Sequence, residues 1–137
     1  MNLFAVMAEI ATRLERIDGL RVHAHRPDRI TPPAAFPDLP EKIDYDGTYG
    51  RGMDSVTVPV NVLVGKVSDR KSQEAIAAYV AGSGPRSFKS TLDAKSTDDY
   101  ESCDDLRVRA VTFAVFTIAG VDYLAASFDV DVTGSGE

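Results

Sequence analysis

Valine occupies every second position from residue 56 to residue 64. Successive side chains of a β-strand point to opposite faces of a sheet, so this spacing predicts a strand with one continuous apolar face. Residues 43–49 alternate in the same way, and the glycine-containing stretch 50–54 can turn the chain between the two arms. The sequence therefore predicts a long β-hairpin over residues 42–65.

Pro59 lies inside the second arm of this hairpin. Proline has no backbone N–H to donate to a neighbouring strand, and within sheets it is found at edges, first positions and bulges. We therefore expect the nitrogen of Pro59 to face an unpaired edge or a bulge. One surface of the hairpin should then be open to a partner.

Five of the chain's seven prolines lie between residues 26 and 41. Proline fixes its own backbone and restricts the preceding residue, so this segment should be largely extended with few backbone donors. A short strand near Ala35–Leu39 fits within it. Residues 20–24 alternate apolar and polar side chains just before it, which predicts another strand.

The first helix is predicted over residues 2–18, where apolar side chains recur at three- and four-residue steps. Asn2 can accept a hydrogen bond at its start, and Gly19 stands where a left-handed residue commonly ends a helix.

Two further helices are predicted in the middle of the chain. Ser68 can cap a helix that reaches Ala81, and Gly82 to Pro85 would stop it. Pro85 suits the first turn of a shorter helix, in which Phe88 and Leu92 lie four residues apart as a buried pair.

The C-terminal part carries the strongest strand pattern. Residues 106–118 are apolar on nearly both faces, which predicts a central strand, and Ala119–Gly120 can turn the chain into a strand over 121–133. The inward side chains of that last strand should be Phe128, Val130 and Val132. We expect residues 134–137 to form a flexible tail.

This order of elements predicts an α+β fold, a mainly antiparallel sheet with the N-terminal helix and the two mid-chain helices packed on one face. A length of 137 residues favours one domain, over residues 1–133.

The charge of the chain limits its partners. A formal net charge of -6 argues against a protein that holds nucleic acid by neutralising phosphates. No apolar run approaches the roughly 20 residues that cross a bilayer, so no membrane partner is expected. Residues 98–105 contain five acidic side chains around Tyr100 and Cys103, which predicts a solvated loop.

Residues that could carry chemistry are few. His23 and His25 share one strand face as the start of a metal site, with Asp28 or Asp38 as possible additions, but a full ligand set is missing. Asp129 to Gly134 resembles the opening of a calcium loop, although its alternating valines predict a strand and the chain ends before the bidentate glutamate. Cys103 has acidic neighbours, which raise a thiol pKa. We expect no enzyme activity, metal or cofactor.

Three stretches of the sequence resemble tail-terminator proteins of actinobacterial long-tailed phages, and together with the N-terminal helix they cover most of the chain. They are residues 45–65 (YDGTYGRGMD running into VPVNVLVG), 78–84 (AYVAGSG) and 120–128 (GVDYLAASF). In that family the subunit is an α+β domain that forms a hexameric ring on the last turn of the tail tube.

The resemblance implies a structural virion protein at the junction of tail and neck, assembled in the host cytoplasm. Its partners would be copies of itself, the tail-tube protein and the head-tail connector, and DNA would pass through the ring without specific binding. The hairpin 45–64 and the loop 26–41 are the expected contact regions, with the interface residues Pro32, Pro33, Phe36, Tyr45, Tyr49, Arg51, Met53 and Pro59.

Two alternatives stay open at this point. The chain could be another neck component, such as a connector-to-tail adaptor, whose sequence would look much the same. From a different class, it could be a small metal- or ligand-binding module that uses His23 and His25.

Overall fold

An open, mostly antiparallel sheet forms the centre of the protein. The computed structural model describes residues 2–45, 53–95 and 100–135. Within them the strands are β1 (Arg21–Val22), β2 (Ala34–Pro37), β3 (Ile43–Asp44), β4 (Met53–Lys66), β5 (Asp105–Ile118) and β6 (Val121–Ser135). The order across the sheet is β1-β2-β4-β6-β5, and β3 pairs with β4 on the side that β2 occupies. β1 and β2 run parallel, so the sheet is mixed.

The helices are α1 (Leu3–Leu14), α2 (Arg70–Val80) and α3 (Phe88–Leu92). All three pack against one face of the sheet and share its main apolar core. An α+β fold with helices on one face is therefore confirmed.

Helix ends differ in part from the prediction. The side chain of Asn2 caps α1 as expected by accepting from the Ala5 N–H, but the helix ends at Leu14, before Gly19 with its positive φ of 78°. Asp69, rather than Ser68, caps α2, because its carboxylate accepts from the Lys71 N–H at 3.0 Å. The predicted cap was one residue early.

The main core is built from the valine alternation. Val56, Val58, Val60, Val62 and Val64 are all buried beneath the helices, as predicted. The strand β6 contributes its three predicted inward residues, and α3 buries its predicted pair. The ring of Phe88 stacks on that of Phe128 with centroids 4.6 Å apart, which joins α3 to the sheet.

The predicted hairpin over 42–65 is confirmed only in part. Its first arm pairs through β3 alone, where Ile43 lies opposite Val56 and Asp44 opposite Ser55. Residues 46–52 lie outside the described residues. β4 is a central strand that pairs with β6 along nearly its whole length.

Pro59 sits at the break between two partners of β4. The β2 pairing reaches Val60, and the β3 pairing begins at Val56. The carbonyl of Pro59 accepts from the Asp38 N–H at 2.8 Å. Since N and C=O of one strand residue face the same neighbour, the proline nitrogen points into this gap, where no ladder donor is needed.

The prediction that residues 106–118 form a central strand is wrong. β5 is the last strand of the sheet and pairs only with β6 among the described residues. A one-residue shift between Val108 and Ala110 makes Arg109 a bulge. An apolar run has the same pattern whether its free edge is covered by a strand or not, so the sequence could not give its position.

The predicted flexible tail is also corrected in part. β6 continues through Gly134, which pairs with Asp54, and Ser135, which pairs with Met53. Residues 136–137 lie outside the described residues. The turn at Ala119–Gly120 is confirmed, with φ angles of 53° and 80°.

Candidate assembly surface

The sheet face away from the helices carries a polar groove of about 590 Å³. At its centre the Arg109 guanidinium lies 2.9 Å from the Asp131 carboxylate and 3.7 Å from that of Asp129. The Thr57 hydroxyl donates to Asp131 at 2.9 Å. The bulge at Arg109 turns this side chain toward its two carboxylates, because an extra residue re-aims the strand. The groove is lined by Glu41, Lys42, Asp44, Ser55, Val56, Thr57, Pro59, Arg109, Asp129, Asp131, Val132 and Thr133.

An apolar depression of about 320 Å³ adjoins the groove through Lys42, which lines both. It is formed by Leu3, Leu39, Pro40, Ile43 and Tyr45 with Lys42. Leu39 and Tyr45 are each 72% exposed, unusually open for side chains of their size. We call residues 39–45 and the groove together the β3 surface.

Only some of the predicted interface residues lie on the β3 surface. Tyr45 lines the apolar depression and Pro59 lines the groove, so both belong to the β3 surface. Met53 is partly buried at the start of β4. Tyr49 and Arg51 lie outside the described residues.

The proline-rich segment is part of the sheet and its margin. Phe36 is fully buried on the face opposite the helices, against Leu63 and Ala125, so it cannot serve as a surface contact. Pro32 and Pro33 are partly buried and joined by a cis peptide bond, and the Pro33 carbonyl accepts from the Arg21 N–H at 3.1 Å.

Arg26 fixes the loop before β2 against the sheet face opposite the helices. Its guanidinium lies 2.7 Å from the Asp38 carboxylate and stacks over the rings of Phe36 and Phe116 at 5.7 and 5.4 Å. The ion pair and the ring contacts thus fix the proline-rich segment at its start, Arg26, and at its end, Asp38.

The histidine pair does not gather further ligands within the described residues. No group of three His, Cys, Asp or Glu side chains there could hold a metal ion. His25 is exposed, His23 is partly buried, and Asp38 pairs with Arg26. The calcium-like stretch forms part of β6, as its valines predicted.

The predicted solvated loop is wrong for two of its residues. Tyr100 and Cys103 are each only 7% exposed. The Tyr100 hydroxyl donates to the Leu92 carbonyl at 2.6 Å, and the buried Arg13 guanidinium lies 3.5 Å from the Tyr100 ring centroid. Asp98 and Asp99 lie outside the described residues. The many acidic residues of the segment suggested exposure, but the burial of Tyr100 depends on Arg13 of α1, which is far away in sequence.

Glu9 on α1 is the second anchor of this loop. Its carboxylate accepts from the N–H groups of Glu101 and Ser102 and from the Ser102 hydroxyl at 2.5 Å. Burial by itself raises the pKa of Glu9, but the hydrogen bonds from Ser102 and Glu101 and the charge of Arg13 outweigh it and lower the pKa below its ordinary value.

Cys103 has the properties of a structural thiol. Burial, together with the charges of Glu9, Asp104 and Asp105, raises its pKa to about 11. The thiolate is the reactive form of cysteine, so little of it is present at neutral pH.

The edge of β5 has two unlike halves. In the first half, the Val108 N–H donates to the Asp93 carboxylate at 2.8 Å, its carbonyl accepts from Lys89 Nζ at 3.0 Å, and the Leu106 carbonyl accepts from the Ala94 N–H at 2.8 Å. In the described part of the chain no such bonds reach the edge beyond Val108. Phe113 and Val115 are 57% and 54% exposed there.

No protein-family model matches the chain, and no curated protein matches it significantly. None of the described helices is long and apolar enough to cross a membrane. The sequence signals did not predict Lys42, Arg109, Asp129 or Asp131 as contacts, and Leu39 was covered only as a member of the expected contact loop 26–41. Leu39 could have been noticed as a large apolar residue between prolines, but the bulge at Arg109 depends on pairing with β6.

Proposed function

We propose that this protein is a structural subunit that assembles into a ring on the end of a phage tail tube, as a tail terminator does. The observation that carries the proposal is the β3 surface. It combines an exposed apolar depression with a charged groove, and contiguous exposed apolar patches rimmed by polar groups mark protein-protein contacts. It also includes Tyr45 and Pro59, two residues of the region that resembles tail terminators.

Charge on the β3 surface favours a ring over a two-fold dimer at this surface. The groove has four carboxylates, those of Glu41, Asp44, Asp129 and Asp131, against the cations of Lys42 and Arg109. Two copies related by a two-fold axis would set this acidic excess against itself, which is unfavourable. A head-to-tail contact with a different patch avoids that repulsion, and such contacts form a ring when the rotation between neighbouring copies closes.

The net charge suits the passage of DNA. At -6 per subunit, a ring of these chains would repel the phosphate backbone and would not grip it. In this proposal the partners are further copies of the chain, the tail-tube protein and the head-tail connector, and the complex lies at the tail-neck junction of the virion.

The test uses point changes at exposed positions. Deleting residues 27–40 would remove β2, which is fully buried and pairs with β4, so loss of a ring would then report unfolding. Leu39→Asp adds a charge to the apolar depression without touching the core. Val67→Asp is the matched control, since Val67 is an exposed apolar residue outside the β3 surface.

Electron microscopy of tail-tube subunits polymerised with the purified protein gives the readout. We expect capped tubes of limited length with the wild-type chain and Val67→Asp, and long uncapped tubes with Leu39→Asp. Native mass spectrometry should show a hexamer that Leu39→Asp reduces. Tubes that grow without limit beside wild-type protein would overturn the proposal. Binding to connector rings with no effect on tube length would support the neck-adaptor alternative.

A further inference from the structure

The second half of β5, residues 110–118, forms an unprotected sheet edge among the described residues. Residues 110–118 read AVTFAVFTI, with no charged residue, proline or glycine. Soluble proteins normally protect long edges with charges, prolines, bulges or a covering segment, because unpaired N–H and C=O groups bind other strands. In β5 the bulge and the covering segment both lie before Ala110. The remaining edge is uncharged and unpaired among the described residues.

The direction of the free backbone groups follows from the covered half. Leu106 and Val108 point their backbone groups away from β6, as their bonds to Ala94, Asp93 and Lys89 show. Outward and inward residues alternate along an antiparallel strand, and the bulge shifts this alternation by one. The outward residues beyond it are therefore Val111, Phe113, Val115 and Thr117.

The nine-residue length of this edge favours a partner strand of the same length. The other outer strands of the sheet, β1 and β3, are two residues long in the described chain and cannot match a nine-residue edge. A second copy of β5 can match it fully. The chain has a net charge of -6, but the segment 110–118 carries no charge, so two copies can meet along it without repulsion between facing side chains.

We propose that residues 110–118 pair antiparallel with the same segment of a second copy, which joins two sheets into one across a two-fold axis. Full overlap of the segment places Ala114 opposite itself and Phe113 opposite Val115 of the second copy. The exposed Phe113 and Val115 side chains then become cross-strand neighbours, which stabilises such pairs. The covered residues up to Val108 lie outside the paired segment.

This dimer does not rest on the proposed ring. It uses the opposite side of the sheet from β3 and can form in a protein of any function. Failure of one proposal therefore leaves the other standing.

Charges introduced at position 115 test the contact. The two position-115 side chains would be diagonal neighbours, roughly 7–8 Å apart between backbones. To separate this contact from the proposed ring, the changes are made in the Leu39→Asp chain, for which we expect sedimentation equilibrium to show a concentration-dependent dimer, with or without the control change Val67→Lys. Val115→Lys and Val115→Glu should each weaken it at least about tenfold, and an equimolar mixture of the two should recover it. Unchanged thermal unfolding would show that both variants fold.

A cysteine placed at the two-fold axis tests the register. In Ala114→Cys the paired backbones would be about 4.5 Å apart, within the range for a disulfide. In the control Thr112→Cys the two positions would be separated by roughly 14 Å along the strands, too far for a bond. Cys103 is buried in both variants. We expect mild oxidation to link Ala114→Cys rapidly and Thr112→Cys barely.

Two results would overturn the proposal. A wild-type chain that stays free of this contact at several hundred micromolar, with no faster crosslinking of Ala114→Cys than of Thr112→Cys, contradicts the pairing. A dimer that Val115→Lys leaves unchanged would place the contact elsewhere. The crosslinking result holds whatever the total number of subunits.

Discussion

The two halves of β5 belong to one strand and pair with the same neighbour, yet they meet opposite environments. In the first half, Leu106 and Val108 are 1% and 4% exposed, and α3 and the residues after it bond the outer edge. In the second half, Phe113 and Val115 are more than half exposed. The helix layer covers the first half only, so the helix-side face of β5 is buried in that half and is exposed surface in the other.

The comparison shows that the first half of the edge is covered by α3 and the residues after it and is also protected by the strand's own charges. The covered half carries Arg107 and Arg109, which would discourage pairing anyway, whereas the uncovered half carries no charge. Within residues 2–45, 53–95 and 100–135, protection is therefore doubled in one half and missing in the other, which is the arrangement expected where an edge serves as a contact.

The largest expected effect comes from removing the packing that holds α3 over the first half. Phe88→Ala deletes a fully buried ring that stacks on Phe128 and meets Tyr79 edge to face at 5.6 Å. It should lower the free energy of unfolding by about 3–5 kcal/mol. Urea unfolding measures this change.

Phe113→Ala is the matched control in the second half. Because its ring is 57% exposed, we expect a change within about 0.5 kcal/mol at concentrations where the chain is monomeric. If Phe88→Ala and Phe113→Ala lowered the free energy of unfolding equally, the two halves of β5 would not differ in burial as described.

A smaller effect is expected from uncapping the covered edge. Asp93→Ala leaves the Val108 N–H without its acceptor and removes the ion pair that Lys89 makes at 2.8 Å. The expected loss is about 1–3 kcal/mol, since an unsatisfied donor at a partly buried site costs its desolvation.

Hydrogen exchange at the Val108 amide should rise in Asp93→Ala. Asp93→Asn keeps an acceptor oxygen and should recover most of the protection. If both variants exchange like the wild type, the capping bond has no role in covering the edge.

The smallest effect concerns the loop that leads into the covered half, which Glu9 anchors through Ser102. The folded-state pKa of Glu9 is lowered, so its ionised form adds stability above the unfolded-state pKa, and this is lost as the pH falls through the folded-state pKa. Glu9→Gln should therefore cost about 0.5–1.5 kcal/mol at neutral pH and progressively less below the ordinary carboxyl pKa.

Urea unfolding of wild type and Glu9→Gln between neutral and strongly acidic pH checks this. Glu74→Gln is the control, because Glu74 lies exposed on α2 with only a surface ion pair to Arg70. A Glu9→Gln deficit that stays constant with pH would show that the carboxylate charge is not what anchors the loop.

Much of the fold could be predicted because its signals are local. The valine spacing in β4, the inward residues of β6, the pair Phe88 and Leu92, the Asn2 cap and the Ala119–Gly120 turn all follow from neighbouring residues. The groups beside Tyr100 could not be predicted, because they are the Arg13 side chain from α1 and the Leu92 carbonyl from α3.

The candidate site was predicted less completely for the same reason. Tyr45 and Pro59 were identified from their hairpin. Phe36 was assigned to the surface, but it is buried against Leu63 and Ala125 on the sheet face opposite the helices. The groove needs Arg109 from β5 beside Asp131 from β6, a contact that exists only once the strands are in register.

By itself, the sequence determined which segments become strands and helices and which side of each is apolar, because backbone geometry fixes those periods. Only the tertiary structure decided the order of the strands and where the helix layer stops. Strand order depends on pairing between segments far apart in sequence, and an apolar run such as 106–118 satisfies a central or an edge position equally well until its neighbours are known.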